Sequence, residues 1–132
     1  MSFDAIGDFL TIIRNGLMVS KPFVVAPYSK VKFEVANILK EEGFIKDCIV
    51  VNEDDLVKKA IKVYLKYVNN ESVIHEIKRV STPGRRHYSG AKRVKPVIGG
   101  LGVSILSTNC GMMTQNKAKE LNVGGEVICT VW

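Results

Sequence analysis

The sequence predicts an α+β fold in which a unit of two helices and a small antiparallel sheet precedes a mostly β unit with one short helix. Three observations predict it: apolar residues recur first at helical spacing, then alternate as in half-buried strands, and glycine-rich turns punctuate the last third. A length of 132 residues permits one compact unit or two very small ones. The breaker cluster 81–84 marks a boundary, so we predict units over 1–79 and 80–132.

Two helices flank a short strand at the start of the chain. Apolar residues at offsets of three and four predict the first helix over 4–19, and the aromatic and β-branched run 23–26 predicts a strand. Ser29 is a suitable N-cap for a second helix over 30–42, and Gly43 offers a left-handed cap at its end.

Strands with alternating apolar and polar side chains follow the second helix. Residues 44–51 and 61–67 are rich in β-branched and aromatic side chains, and the acidic turn 52–55 lies between them. After another turn at 68–71, residues 73–80 predict a further strand of the same meander. The first unit is therefore expected to contain a small sheet with one wet face.

The second unit is predicted to be small, turn-rich and mostly β. Residues 102–107 and 125–132 are Val- and Ile-rich strands, and a short helix over 114–121 lies between them. No apolar run reaches the roughly 18 residues that a membrane-spanning helix needs, and the start of the chain lacks the pattern of a signal peptide. We therefore expect a cytoplasmic protein with no membrane partner.

The net charge of +6 is unevenly distributed. Residues 1–79 carry 12 Lys and Arg against 11 Asp and Glu, a net of +1, whereas residues 80–132 carry 7 against 2, a net of +5. No carboxylate side chain occurs between Glu76 and Glu120, so the cations there have no acidic neighbour in sequence to cancel them. Such a stretch favours a polyanionic partner, and we expect most of the affinity for that partner to reside in residues 80–132.

The residues that catalysis or metal binding would need are scarce. Three cysteines without a Cys-x-x-Cys spacing suggest neither a disulfide framework nor a zinc site, so we expect no metal and no cofactor. Cys110 with His87 would be a possible nucleophile and base, but no Asn or Asp stands out to orient the base. We predict that the protein is not an enzyme and has no small-molecule substrate.

A hydroxyl-rich turn after the strand 102–107 is one candidate binding site. Its hydroxyls, amide and bare glycine backbone suit recognition of bases and 2′-hydroxyls in irregular RNA. The alternative is a turn that only caps the next helix and binds nothing. The candidate residues of this turn are Ser107, Thr108, Asn109, Gly111 and Thr114.

A cationic segment carries the other candidate residues. Arg85 and Arg86 would make two phosphate contacts beside Tyr88, whose ring could stack on a base. The alternative is a solvated loop.

Several spaced motifs combine into one pattern over essentially the whole chain. They are Ile13-Arg14-Asn15-Gly16, the run from Leu39 to Ile45, Arg79-Val80-Ser81 with Pro83-Gly84 and Tyr88, Gly100-Leu101-Gly102, Ser107-Thr108 with Gly111 and Met113-Thr114, and the run from Gly124 to Cys129. In this combination the chain resembles the family of bacterial small-subunit ribosomal protein number eight. The resemblance implies a non-catalytic protein that binds the central domain of small-subunit ribosomal RNA and helps the subunit to assemble. It also implies contacts with neighbouring small-subunit ribosomal proteins, numbers five and two.

The resemblance also assigns site residues by position. The RNA-reading residues that it implies are Ser107, Thr108 and Gly111, with Tyr88 and the Gly124-Gly125-Glu126 segment close by, and with lesser contacts from Lys30 and the Pro83-Gly84 turn. Where the family usually has Ser and then a basic residue, this chain has Asn109 and Cys110, so one phosphate contact is absent. Glu126 would either accept from base amino groups or fix the loop backbone, and we favour the second.

Two other functions remain open on the sequence. A free regulatory binder of structured messenger RNA would use the same residues, and co-sedimentation with ribosomal particles would separate it from a ribosomal constituent. A small hydrolase using Cys110 and His87 would lose its activity on Cys110→Ala substitution.

Overall fold

The computed structural model describes residues 4–52, 58–90 and 97–132. The chain divides into two compact units, one formed by Ala5–Ile74 and the other by His75–Trp132 together with Asp4. Asp4 forms an ion pair with Arg79 of the same unit, whose Nη2 lies 3.2 Å from the Asp4 carboxylate. No helix in the described part of the chain is both long enough and apolar enough to cross a bilayer.

The first unit is a three-stranded antiparallel sheet with two helices packed against it, in the sheet order β1-β3-β2. Fully buried side chains from both helices and the central strand form its core, among them Phe9, Leu39 and Val63. A short hairpin of two further strands follows the sheet. In chain order the elements are α1 (Ala5–Met18), β1 (Phe23–Pro27), α2 (Lys30–Glu41), β2 (Ile45–Asn52), β3 (Lys59–Leu65), β4 (Tyr67–Val68) and β5 (Glu71–Ser72).

The capping signals of the second helix are confirmed. The Ser29 Oγ accepts a hydrogen bond from the backbone N–H of Lys32 at 3.2 Å, and Ser29 is the N-cap of α2. Gly43 follows the helix with a φ of 81°, in the left-handed region that a side chain rarely adopts. Of the predicted acidic turn, Asn52 ends β2, and residues 53–55 lie outside the described residues.

The second unit is built on a sheet in the order β6-β10-β8-β9, with β7 also pairing with β10. One face of this sheet packs on the short helix through a cluster of Leu106, Met113 and Ala118, against which Val123 and Val127 also pack. In chain order the elements are β6 (Ile77–Arg79), β7 (Tyr88–Ser89), β8 (Val103–Thr108), β9 (Gly111–Thr114), α3 (Gln115–Leu121) and β10 (Gly125–Val131).

The prediction of a first-unit strand over 73–80 is wrong in both extent and partner. Only Ile77–Arg79 forms a strand, and it pairs with β10 of the second unit, with Ile77 opposite Val131. The backbone N–H groups of the two residues before it donate to the carbonyl of Trp132. The alternation of side chains indicated a strand correctly, but hydrogen bonding to the distant C-terminus selected its sheet.

Candidate nucleic-acid interface

The hydroxyl-rich turn is the tip of the β8–β9 hairpin. Asn109 and Cys110 connect the strands, and Gly111 has a φ of 105° with open space where a side chain would stand. The Thr108 hydroxyl donates to the Gly111 carbonyl at 2.8 Å and accepts from the Cys110 N–H at 3.1 Å. Because Thr108 uses its hydroxyl inside the turn, this residue shapes the tip.

Four residues that are distant in sequence stand side by side across the sheet. Tyr88 pairs with Glu126, Glu126 with Ser107, and Ser107 with Met112, on the strands β7, β10, β8 and β9. Directly paired residues of neighbouring strands point to the same face, so these side chains form one row. We call Tyr88, Glu126, Ser107 and Met112 the recognition row.

The recognition row lies on the sheet face opposite to α3. Alternation along β8 turns Leu106 toward the helix and its neighbour Ser107 away from it. Tyr88 is 72% exposed, and the Ser107 hydroxyl makes no hydrogen bond within the described part of the chain. The row therefore offers an aromatic ring and an unused hydroxyl to a partner.

Glu126 is tied to the loop that precedes Tyr88. Its Oε2 accepts a hydrogen bond from the Ser81 hydroxyl and lies 3.0 Å from the Arg86 Nη1. The fully buried Ser81 also accepts from the backbone N–H of His87 at 3.2 Å. Glu126 is thus bonded to side chains of the loop before Tyr88, and its role toward RNA stays a prediction.

One of the cations that the sequence leaves without an acidic neighbour, Arg86, has an acidic partner in the folded protein. The cations between Glu76 and Glu120 have no acidic neighbour in sequence, but Arg86 gains one from a strand 40 residues later. Arg85 remains an exposed cation, with no ion pair or side-chain hydrogen bond to the residues described. Its backbone closes the turn at 82–85 through hydrogen bonds with Thr82.

Gly124 and Gly125, which directly precede Glu126, allow close packing of the backbone. A Cβ on Gly125 would lie 2.2 Å from the Ser107 carbonyl oxygen, and one on Gly124 would lie 2.7 Å from that of Ser89. Their bare backbones let β10 approach the adjoining segments closely.

The two remaining candidate residues stand outside the recognition row. Thr114 is the N-cap of α3, where its Oγ1 accepts from the Lys117 N–H at 3.3 Å. Lys30 is the first residue of α2 in the first unit, and it is exposed.

Sequence reasoning missed two contributors to this site. In the sequence, Ser81 is part of a predicted turn, and Met112 is an apolar residue that follows a glycine. Only the strand register places Met112 beside Ser107, and only the folded loop brings Ser81 to Glu126. No local pattern signals either contact.

Protonation of Glu126 is expected to weaken the second unit. Burial raises the pKa of this carboxyl, but hydrogen bonds from Ser81 and Arg86 outweigh that effect, and the pKa lies below its usual value. Because the folded pKa is depressed, the stabilisation is present above the unfolded value of about 4.3 and is lost as the pH falls through the folded value.

The check is a series of melting curves from pH 7 to pH 2 for the natural protein and Glu126→Gln. The variant should melt earlier at pH 7, and the gap should close in acid. Glu120→Gln, on the exposed side of α3, is the control and should follow the natural protein. A gap that stays constant with pH would contradict the assignment.

The thiols are expected to differ sharply in reactivity. Cys110 is exposed at the hairpin tip, whereas Cys48 and Cys129 are buried. Burial raises the pKa of the Cys129 thiol to about 12 and also raises that of Cys48, and reaction requires the thiolate. A thiol–disulfide exchange reagent should label Cys110 alone in the folded protein and all three thiols in denaturant, and rapid labelling of a second thiol would contradict this.

The described residues neither join Cys110 to His87 nor group side chains as metal ligands. No hydrogen bond joins the Cys110 thiol to His87 there, and the Sγ instead lies 3.6 Å from the Asn109 Oδ1. Within residues 4–52, 58–90 and 97–132, no three His, Cys, Asp or Glu side chains are grouped as metal ligands would be. Hydroxyl, ring and guanidinium groups dominate the interface, and these chemistries suit binding.

Comparison with known proteins identifies the family. The sequence profile of the family described as ribosomal protein S8 matches residues 4–132. The chain is 48% identical over 133 residues to the small ribosomal subunit protein uS8 of Solibacter usitatus, with all of both chains covered. It is 47% identical to the uS8 protein of Dictyoglomus thermophilum, covering 98% of this chain and 97% of that one, and 49% identical to that of Xylella fastidiosa, covering 97% and 96%. This chain belongs to the ribosomal protein S8 family.

Proposed function

We propose that this protein is a structural constituent of the small ribosomal subunit that binds the central domain of small-subunit ribosomal RNA and helps the subunit to assemble. The recognition row is the observation that carries the proposal. Its exposed ring, free hydroxyl and fixed carboxylate stand on four hydrogen-bonded strands, so the groups are held in place before RNA arrives. Membership of the ribosomal protein S8 family supports the ribosomal setting, which is cytoplasmic in bacteria.

The groups of the site divide into base-reading and phosphate-binding residues. Tyr88 offers a ring face for stacking, and Ser107 offers a donor and an acceptor for a base edge or a 2′-hydroxyl. Arg85, exposed in the loop before Tyr88, supplies charge that positions the RNA without reading its sequence. The first unit, with Lys30, adds weaker contacts to RNA or to the neighbouring ribosomal proteins five and two.

The direct test is a footprint of the full-length protein on a transcript of the central domain. Protection should be confined to one irregular helix and should disappear with Tyr88→Ser. Uniform protection along the transcript, or protection unaffected by that substitution, would contradict the proposal.

The salt dependence of binding separates the two arginines. Arg85→Gln should reduce the slope of log affinity against log salt by about 0.7 to 0.9, the value of one phosphate contact. Arg86→Gln should change the slope less, because Glu126 already offsets that charge in the free protein. The measurement is a titration of the transcript at four salt concentrations, and equal changes for both variants would show that the ion pair opens on binding.

A further inference from the structure

The outer face of the first unit's sheet carries rings and a lysine in one cluster. Along β1 the residues alternate between exposed and buried, with Phe23 and Val25 exposed. Phe23 pairs with Tyr64 on β3, and Val25 pairs with Lys62. These four side chains share the face opposite to the buried core, and we call them the β1–β3 face.

The cation and the rings of this face are in contact. The Lys62 Nζ lies 4.1 Å from the centroid of the Phe23 ring and 5.2 Å from that of Tyr64. The two ring centroids are 6.1 Å apart, and the ring of Phe23 belongs to a residue that is 39% exposed. Such side chains offer a stacking surface and a positive charge within a few ångströms of each other.

The two strands of this face carry cations and no acids. β1 and β3 contain Lys59 and Lys62 and no Asp or Glu, and Lys21 lies just before β1. On β2, Asp47 pairs with Tyr64, but its carboxylate lies 3.0 Å from the Lys40 ammonium and is thereby neutralised. The charge of this part of the first unit therefore complements a polyanion, although the unit as a whole is nearly neutral.

A groove continues the cluster along the edge of β1. It has a volume of about 650 Å³, within the roughly 300 to 1,000 Å³ that is typical of small-molecule sites in proteins. Phe23 and Val25 line one side, and Ile12, Val19 and Lys21 are among the residues that line the rest. Lys21 is one of the lining residues, so the groove combines apolar side chains with a cation.

We propose that the β1–β3 face binds single-stranded RNA, with unpaired bases stacked on Phe23 and Tyr64 and with phosphates held by Lys62 and Lys21. The inference rests on the proposed function in taking RNA as the partner, but it assigns a second site with a different preference. A purely apolar protein segment would cover the rings and strip water from the Lys62 ammonium without providing an anion, which is costly. RNA supplies planar apolar faces and anions together.

The experiment uses the full chain and a fluorescein-labelled decauridylate, an unstructured RNA of ten uridines, at 50 mM salt. Phe23→Ser should weaken binding by about 5- to 150-fold, which corresponds to the loss of one stacking contact. Lys62→Gln should reduce the slope of log affinity against log salt by about 0.7. Val31→Ser is the matched control, because Val31 is 42% exposed on α2 and lies outside the face.

The same variants are also titrated with the central-domain transcript, so that failure of this inference is distinguishable from failure of the proposed function. Decauridylate binding that Phe23→Ser and Lys62→Gln weaken, and that Val31→Ser leaves intact, would support the β1–β3 face. Loss of decauridylate binding in Tyr88→Ser alone would place the stacking in the second unit and overturn it. Absence of decauridylate binding would also overturn it, leaving the face to an acidic peptide while transcript binding stands.

Discussion

Replacing Gly125 with alanine should lower the free energy of unfolding of the second unit by at least about 3 kcal/mol. The new Cβ would lie 2.2 Å from the Ser107 carbonyl oxygen and 3.1 Å from the Thr108 Cα, so β10 and β8 would have to separate where they pair. Backbone atoms of paired strands cannot move aside as the end of a flexible side chain does, so the cost should exceed that of ordinary overpacking.

The measurement is denaturant unfolding of the natural protein, Gly125→Ala and Gly84→Ala. Gly84 is the matched control, because a Cβ added there would have no other atom within 4 Å and the φ of this residue is not positive. Gly84→Ala should lie within about 1 kcal/mol of the natural protein. A Gly125→Ala variant as stable as this control would mean that the two strands are less closely paired than the structure indicates.

Ser107→Ala should weaken binding of the central-domain transcript by about 1 to 3 kcal/mol and leave thermal stability almost unchanged. Its hydroxyl makes no hydrogen bond within the described part of the chain, so its removal costs the free protein little. In the complex, the same substitution would leave an RNA group desolvated without its partner.

Thr108→Val is the matched comparison, because it removes a hydroxyl from the next residue. That hydroxyl bonds to Gly111 and Cys110, so the variant should lose about 0.5 to 2 kcal/mol of stability and lose affinity only in proportion to unfolding. The measurement is a transcript titration at fixed salt beside a melting curve for each variant. If Ser107→Ala melts early yet binds normally when folded, Ser107 belongs to the turn and the row is not the reading surface.

The sequence by itself determined most of the local structure. The helical spacing, the Ser29 cap and the left-handed Gly43 are all found where they were predicted. The turn after β4 is found at Asn69 and Asn70, which both have positive φ. Each of these features depends on residues within a few positions of one another, so periodicity and side-chain chemistry suffice to predict them.

The candidate site was only partly predictable. The sequence indicated the hydroxyl-rich turn and the cationic segment as separate candidates. Glu126, and the assembly of these residues into one site, came only from the family resemblance. It also treated Ser107 and Thr108 alike, whereas their side chains point to opposite faces of β8 and have different partners. Adjacent residues of a strand diverge in this way because the side-chain period is two.

Only the tertiary structure decided which distant segments meet. It paired residues 77–79 with the C-terminal strand, aligned Tyr88, Ser107 and Glu126 in one row, and placed Glu126 against Arg86 and Ser81. A strand pattern specifies which face is buried but not which strand lies alongside, because backbone hydrogen bonds are the same for every partner. The partner is selected by the packing of the whole core and by close approaches such as that of Gly125 to Ser107, which no local window of sequence contains.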